Sequence, residues 1–324
     1  MTNDLSPNLD HRRTGLGVTG VVIVTPSATY HPWNASLVAG IKAAGYEPIS
    51  YGGELELPFS ECPQVIVTHD PLLVKQVRRD WTVAILGDIA TSAAQCSSLF
   101  GTTPEGGLQI ASLILANMAL LPENTIYLSN DLTGSVVRIA ADIDVVVPTT
   151  REEWAPTTSE EAFQEALSLY RGWPDAPRSS ARWEPGVFRF DERHKSPDRP
   201  DCVVELAGRA RALVYGPYIG LRPGRWSVTA KFIVDKDAAA HRFRFEWGHA
   251  GSSASFTQSP GRAGEFAVTL AHDWHEPALA EFKIIVAQGS LGGELEFLGA
   301  DLERLGGPTA ADNADSGTAP ETIN

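Results

Sequence analysis

The chain has 324 residues, of which 43% are hydrophobic and 20% charged, and its formal net charge is −14. This length exceeds that of one typical domain core, so it predicts two domains with tails. Residues 1–185 contain 11 Lys and Arg against 21 Asp and Glu, whereas residues 186–305 contain 15 against 16. Neither part offers the basic surface that nucleic acid or anionic lipid requires, so the composition argues against nucleic-acid binding.

The sequence contains no targeting or metal-binding pattern. No apolar run approaches the roughly 18 residues that a membrane span needs, and the first twenty residues lack the apolar core of a signal peptide. The three cysteines, Cys62, Cys96 and Cys202, are too few and too scattered for a disulfide framework or a zinc site. We therefore expect a cytoplasmic protein without a membrane span, a metal site or a cofactor.

The N-terminal half alternates apolar runs with helical patterns. Residues 1–17 are polar and are predicted to be a disordered leader, and residues 18–172 are predicted to form one domain. Such alternation is typical of an open, mostly parallel, doubly wound α/β sheet. Strands are predicted at 18–25, 47–51, 64–68, 81–86, 125–129 and 144–147, and helices at 34–44, 72–78, 91–99, 106–120, 134–140 and 159–170.

The apolar period changes to two in the C-terminal half. Residues 173–186 are rich in Pro, Arg and Ser and are predicted to be a linker. Short alternating strands between turn residues then predict an antiparallel β-sandwich of jelly-roll type over residues 187–305. Residues 306–324 are predicted to be a disordered tail. The predicted sandwich strands are 203–206, 212–215, 226–233, 242–247, 264–270, 280–287 and 293–298.

Residues 215–226, which read YGPYIGLRPGRW, resemble a segment of carbohydrate-binding-module-like sandwiches in bacterial glycosyltransferase-associated proteins. Residues 289–297 resemble the last strand of that module. The resemblance covers residues 187–305 and implies carbohydrate binding without specifying the ligand. The glycines and prolines of the segment are explained by tight turns alone, whereas Tyr218 and Arg222 are candidates for an exposed edge.

Residues 18–148 resemble the first Rossmann-type domain of two-domain bacterial glycosyltransferases. The likeness rests on residues 21–26, His31–Pro32, residues 43–47 and the strand with a His-Asp pair at 64–71. It implies a glycosyltransferase-like N-terminal domain that acts on a nucleotide sugar. No second nucleotide-binding half follows, so the chain is not expected to be a complete catalyst alone, and a partner protein that supplies the missing half stays open.

Several polar residues follow predicted parallel strands, where open α/β sheets bind their ligands. Asp70 and Asp88 are the candidate catalytic residues, and His31, His69 and Asp131 are candidate ligand-binding residues of the same crevice. The alternative for the acidic residues is that they cap the helices that follow them.

In the predicted sandwich, residues 272–276 gather two histidines, two acids and Trp274. Two histidines three residues apart are weak evidence for a metal site, and sugar binding is the alternative, with Trp274 stacking on a sugar ring. We take Trp274 and Tyr218 as candidate ligand-binding residues, against the alternative that the tryptophan lies in the core.

These observations leave enzymatic activity open. The chain lacks a G-x-G-x-x-G loop after its first strand, a P-loop lysine and a G-x-S-x-G elbow. The main prediction is a glycan-related protein of bacterial surface-polysaccharide metabolism that binds oligosaccharide or polysaccharide. One alternative is a non-catalytic scaffold that binds glycan or protein, and another is a nucleotide- or sugar-modifying hydrolase that uses Asp70 or Asp88.

Overall fold

A computed structural model describes residues 18–51, 60, 62–129, 135–149, 158–175, 177–193 and 200–307. The predicted leader and most of the predicted tail lie outside these residues. Among the helices of the described residues, none combines the length and the apolar character needed to cross a lipid bilayer.

Five parallel strands form the first sheet, in the order β2-β3-β1-β4-β5. The central strand β1 pairs on one side with β3 and on the other with β4, so its residues are buried on both faces. A continuous apolar run is the pattern expected of such a strand, and the predicted parallel sheet is confirmed. The strands are β1 (Val18–Val24), β2 (Glu47–Ser50), β3 (Gln64–Thr68), β4 (Trp81–Leu86) and β5 (Ile126–Ser129).

The described residues contain four α-helices. Gly45 follows the first helix with a φ of 84°, and Gly101 ends the second with a φ of 59°. These left-handed conformations suit glycine and explain where the two helices stop. The helices are α1 (Tyr30–Ala43), α2 (Ile89–Phe100), α3 (Pro104–Asn117) and α4 (Thr158–Ala166), and short 3-10 segments lie at Pro71–Lys75, Met118–Leu120, Leu167–Tyr170, Pro185–Val187 and Ala238–Ala240.

Two predicted elements of the N-terminal half are wrong. The segment predicted as a helix at 134–140 contains strand β6 (Val136–Ala140), which pairs only with β7 (Ile143–Val146) in a two-stranded antiparallel sheet. The predicted sixth strand therefore does not join the parallel sheet. Both strands alternate between exposed and buried residues, because one face of this hairpin packs against α1. The predicted helix at 72–78 is the 3-10 turn Pro71–Lys75.

Two five-stranded antiparallel sheets make up the C-terminal half, and its predicted β-rich character is confirmed. One sheet has the order β10-β17-β12-β15, with β8 also paired to β17, and the other has the order β14-β13-β16-β11-β9. The strands are β8 (Ser180–Trp183), β9 (Arg189–Phe190), β10 (Val203–Glu205), β11 (Arg211–Leu221), β12 (Gly224–Val234), β13 (Phe243–His249), β14 (Ser252–Gln258), β15 (Gly264–Trp274), β16 (Ala278–Val286) and β17 (Glu294–Gly306).

One hydrophobic core continues from the helices into the antiparallel sheets. Cys96 of α2 and Leu108 of α3 belong to the same cluster of buried residues as Trp226 and Trp247. Strand β8, within the predicted linker, adds the fully buried Trp183 to this cluster. The helices α2, α3 and α4 thus pack against the antiparallel half. The division into two domains stays a prediction.

Candidate functional site

Asp70 and Asp88 lie where the sequence places them, directly after β3 and β4. Oδ1 of Asp70 accepts a hydrogen bond from the backbone N–H of Leu72 at 2.9 Å. Oδ1 of Asp88 accepts one from the N–H of Ala90 at 3.0 Å. Each carboxylate satisfies an N–H that would otherwise lack a partner in the first turn of its helix. The observed contacts are those of the capping alternative, and a catalytic role for either residue stays a prediction.

The loops after β1 and β4 contact each other directly. Oγ1 of Thr25 accepts a hydrogen bond from the N–H of Gly87 at 2.7 Å, and the N–H of Ala28 donates to Oγ1 of Thr91 at 3.0 Å. A Cβ added at Gly87 would lie only 2.0 Å from Oγ of Ser27. The polypeptide itself therefore occupies the space between these two strand ends, where an open α/β sheet binds its ligand.

The predicted histidines of this region, His31 and His69, both lie near the ring of Tyr30. Its ring centroid is 5.4 Å from that of the exposed His31 and 6.5 Å from that of His69. The Tyr30 hydroxyl lies 3.4 Å from Nδ1 of His69. Burial lowers the pKa of His69, although Asp70 opposes the shift. Asp131 lies outside the described residues.

His69 and Asp70 line one pocket, whose volume is about 280 Å³ and which we call the Phe100 pocket. His31 and Asp88 are not among its lining residues, so the structure does not gather the predicted crevice into one site. The wall is mainly apolar, whereas a sugar crevice would be polar. The pocket is lined by Tyr51, His69, Asp70, Leu72, Phe100, Ile110, Leu113, Ile114 and Asn117.

Tyr218 is held on the second antiparallel sheet by protein contacts at both ends. It has a φ of 62°, its hydroxyl donates to Oε1 of Glu281 at 2.6 Å, and the Arg189 guanidinium lies 5.7 Å from its ring centroid. Burial and the Glu281 carboxylate raise the pKa of the phenol. A ligand role for Tyr218 stays a prediction. The exposed edge predicted for Arg222 is wrong, because this residue is 8% exposed and lies against the ring of Trp173.

Trp274 lies in the hydrophobic core, which is the alternative to a sugar-stacking role. The residue is fully buried, and its ring centroid lies 5.0 Å from that of Trp247 and 5.1 Å from that of His272. A ring enclosed in this way has no free face on which a sugar could stack, so the stacking role predicted for Trp274 is not available in this structure. Its neighbours His249 and His272 are half-buried.

Above Trp274 lies a surface pocket of about 530 Å³, which we call the His272 pocket. His272 and Asp273 belong to strand β15, and His275 and Glu276 lie in the turn before β16. The pocket also includes residues from the β13–β14 hairpin. It is lined by Arg225, His249, Ser252, Ala254, Ala271, His272, Asp273, His275, Glu276, Pro277 and Ala278.

Two functional side chains of this pocket, those of Arg225 and His249, come from outside the predicted cluster at residues 272–276. Arg225 faces Asp273 in the β12–β15 pairing, and its guanidinium lies 3.4 Å from the carboxylate. His249 ends β13, and its ring centroid lies 5.6 Å from that of His272. Strand register brings Arg225 into the pocket, and a turn of the other sheet brings His249. No local sequence pattern signals either.

The electrostatics of the pocket favour uncharged imidazole. Burial is the main cause that lowers the pKa of His272, and the nearby His249 lowers it further. The His272 ring is therefore neutral at neutral pH. Its Nε2 atom is buried and has no hydrogen-bond partner within the described part of the chain. Over those same residues, no group of three or more His, Cys, Asp or Glu side chains is arranged to hold a metal ion. The pocket therefore combines flat imidazole rings, of which that of His272 is neutral, with carboxylates and one guanidinium.

A second, longer groove runs along the edge strand β9. Two cavities of about 500 and 520 Å³ share Phe190, Asp191, Glu192 and Tyr215, and we call them together the Phe190 groove. Asp191 is held there by an ion pair with the buried Arg211. No local sequence pattern signals this groove, because its walls come from α3, α4 and three strands that only the tertiary fold brings together.

No protein-family model matches the chain, and no curated protein matches it. Among solved structures, the carbohydrate-binding module TmCBM61 in complex with β-1,4-galactotriose is 11% identical, with a TM-score of 0.26 over 39% of this chain and 82% of that chain. The Glycosylation Associate Protein (Gap123) complex from Streptococcus agalactiae is 9% identical, with a TM-score of 0.29 over 80% of this chain and 49% of that chain.

The sugar-binding C-terminal domain of EclA is 16% identical, with a TM-score of 0.22 over 34% of this chain and 84% of that chain. Because these sequence identities and TM-scores are low, the function of the chain has to be inferred from the geometry of its own sites.

Proposed function

We propose that the antiparallel half of this chain binds carbohydrate and that the His272 pocket holds the sugar. The observation that carries the proposal is the composition of this one open cavity. Two half-buried imidazole rings, on His249 and His272, lie beside carboxylates, a guanidinium and a hydroxyl.

A sugar ring needs this combination because it has apolar C–H faces and polar hydroxyl edges. The imidazole rings offer flat surfaces, Asp273 and Glu276 accept hydrogen bonds from hydroxyls, and Arg225 donates them. The cavity of about 530 Å³ lies within the range of small-molecule sites.

The same proposal extends to the architecture of the chain. We propose that residues 187–305 form a jelly-roll-like sandwich and that residues 18–172 form a glycosyltransferase-like domain without a donor half. A protein of this kind belongs in the cytoplasm, in bacterial surface-polysaccharide metabolism, where a partner protein would supply any missing catalytic part. The capping bonds of Asp70 and Asp88 and the contact between Thr25 and Gly87 favour glycan binding without autonomous catalysis.

The direct test is an array of neutral and acidic oligosaccharides, followed by calorimetric titration of the tightest binder. We expect Glu276→Ala, which removes a charged hydrogen bond, and His249→Ala, which removes a flat ring surface, each to weaken binding about tenfold. Glu265→Ala is the matched control, because Glu265 is an exposed acid at the opposite end of the same strand β15. Binding that survives both pocket variants would move the site elsewhere, with the Phe190 groove next to be tested. Failure of every oligosaccharide to bind would end the proposal.

A nucleotide-sugar screen separates glycan binding from the enzymatic alternative. A ligand that binds only the native state raises the melting temperature by mass action. We expect no shift with UDP-glucose or GDP-mannose and a shift with the oligosaccharide. A donor-induced shift that Asp88→Asn abolishes would instead favour the glycosyltransferase-like enzyme.

A further inference from the structure

The Phe100 pocket has an apolar wall built on one face of helix α3. Ile110, Leu113, Ile114 and Asn117 follow the spacing i, i+3, i+4 and i+7, which places them along one stripe of a helix. Leu72 from the 3-10 turn and Phe100 from the end of α2 complete the wall.

The apolar side chains of the pocket remain accessible. Leu72 is 37% exposed and Phe100 is 40% exposed, although both are large hydrophobic residues beside a cavity of about 280 Å³. Adjacent exposed apolar groups around a concave surface are typical of a binding site. Among the described residues of the lining, Asp70 is the charged one, and its carboxylate already caps the 3-10 turn at Leu72.

One polar group stands at the end of the apolar helical stripe. Asn117 is only 8% exposed, and its side chain makes no capping hydrogen bond to the turn that follows it. The amide group can donate and accept hydrogen bonds, so it can bond to a polar group of a ligand in the pocket. The neighbouring His69 is also uncharged at neutral pH, because burial lowers its pKa against the opposing effect of Asp70.

We propose that the Phe100 pocket binds a neutral, mainly hydrocarbon molecule of about two fused rings that carries one hydroxyl or carbonyl group. Its volume of about 280 Å³ is roughly twice that of an engineered protein cavity of about 150 Å³ that accepts benzene. The ring system lies against Leu72, Phe100 and the α3 stripe, and the polar group bonds to the Asn117 amide. Asp70 disfavours an anionic ligand. This site is separate from the His272 pocket and does not depend on carbohydrate binding.

Titration of the full chain with 2-naphthol, followed by ligand fluorescence, tests the site. We expect saturable binding that Leu72→Trp abolishes, because the larger ring fills the mouth of the pocket. Leu291→Trp is the matched control, since Leu291 is fully exposed and is not part of the lining. Both positions are exposed, so melting temperatures close to that of the original chain establish that the variants fold. Equal binding by both variants, or no saturable binding by the original chain, would overturn the proposal.

Asn117→Leu tests the polar end, because leucine has a similar size and no hydrogen-bonding group. We expect 2-naphthol to bind this variant about three- to tenfold more weakly, the scale of one hydrogen bond, while naphthalene binds at least as well as before. The original chain should prefer 2-naphthol to 2-naphthoate. An equal affinity for naphthoate, or an unchanged affinity for 2-naphthol in Asn117→Leu, would contradict the assigned chemistry.

Discussion

The backbone N–H of Gly220 donates a hydrogen bond to Oγ of Ser112 at 2.8 Å, which joins strand β11 to helix α3. The carbonyl oxygen of the same glycine accepts a hydrogen bond from the hydroxyl of Tyr170. Both polar backbone groups of one buried residue in the antiparallel half are therefore satisfied by side chains that come from before residue 172. This contact makes α3 and the 3-10 segment Leu167–Tyr170 a specific support for β11.

Gly220→Ala should destabilise the protein by about 1–3 kcal/mol, the usual cost of overpacking. A Cβ at this position would lie 2.8 Å from the backbone N and Cα of Leu113, so the helix and the strand would have to move apart. Denaturant unfolding measures the loss. Gly292→Ala is the control, because a Cβ there meets nothing within 4 Å. A Gly220→Ala variant as stable as that control would disprove the close approach.

Ser112→Ala should lower the free energy of unfolding by about 1–3 kcal/mol, because it leaves the buried Gly220 N–H without a partner. Ser112 is 0% exposed, so water cannot replace the lost hydroxyl. Thermal and denaturant unfolding provide the measurement, with the exposed Ser255→Ala on β14 as the control. Similar stability of the two variants would show that the hydrogen bond contributes little.

Arg211→Met should lower the free energy of unfolding by about 3–5 kcal/mol. The substitution breaks a buried ion pair and removes a positive charge and a hydrogen-bond donor from the Asp191 carboxylate. The side chains of Arg211 and Asp191 are 5% and 10% exposed, and Arg211 also donates to the carbonyl oxygens of Leu206 and Glu205. The control is Arg138→Met in the exposed pair with Asp144, where we expect at most about 1 kcal/mol. Equal losses measured by urea unfolding would contradict the distinction.

The same pair predicts a loss of stability in acid. Burial alone would raise the pKa of Asp191, but hydrogen bonds from Arg211 and Arg193 outweigh it and hold the pKa below its usual value. The ionised Asp191 carboxylate therefore adds to the free energy of unfolding above the pKa near 4 of the unfolded chain. This stabilisation is lost as the pH falls through the pKa of Asp191 in the folded chain. The acid-induced loss should therefore be smaller in Arg211→Met than in the original chain.

Asp88→Asn and Asp88→Ala should differ in stability if Asp88 acts as a helix cap. Asparagine accepts the bond from the N–H of Ala90 nearly as well as aspartate, whereas alanine should cost about 1 kcal/mol. Thermal unfolding measures both variants. Equal stability of the two would show that the capping bond is unimportant and would strengthen the case for a ligand role.

Acidification from pH 7.5 to 5.5 should destabilise the fold partly through His272. Burial, and to a smaller extent His249, lowers the pKa of the His272 ring in the folded chain. This ring therefore binds a proton more readily in the unfolded chain than in the folded chain. The stability is complete above the unfolded pKa near 6.5 and falls as the pH drops towards the folded value. His272→Gln should lose less stability over this interval than the exposed control His275→Gln. Identical losses in the two variants would rule out His272 as a source of the pH dependence.

Much of the architecture follows from local patterns. The continuous apolar runs of β1, β3 and β4 predict buried parallel strands, and Gly45 marks the end of α1. These features depend on the nearest residues in the chain, so sequence alone reveals them. The two-residue period after residue 187 likewise predicts an antiparallel β-rich half, because side chains of a strand alternate between its two faces.

The elements that were mispredicted depend on distant partners. Residues 136–140 form β6 because β7 supplies a pairing strand and α1 covers one face of the hairpin. Within the region expected to be a linker, Ser180–Trp183 pairs with β17, more than a hundred residues later. A short segment carries too little periodicity to specify such a partner.

The apolar periodicity of both halves and the grouping of histidines and acids at residues 272–276 can be read from the amino-acid order. The burial of Trp274, the presence of His249 and Arg225 in the His272 pocket, and the capping bonds of Asp70 and Asp88 emerge only on folding. The physical reason is that periodicity is a property of neighbouring residues, whereas burial, register and hydrogen-bond partners are set by segments that meet only when the chain has folded.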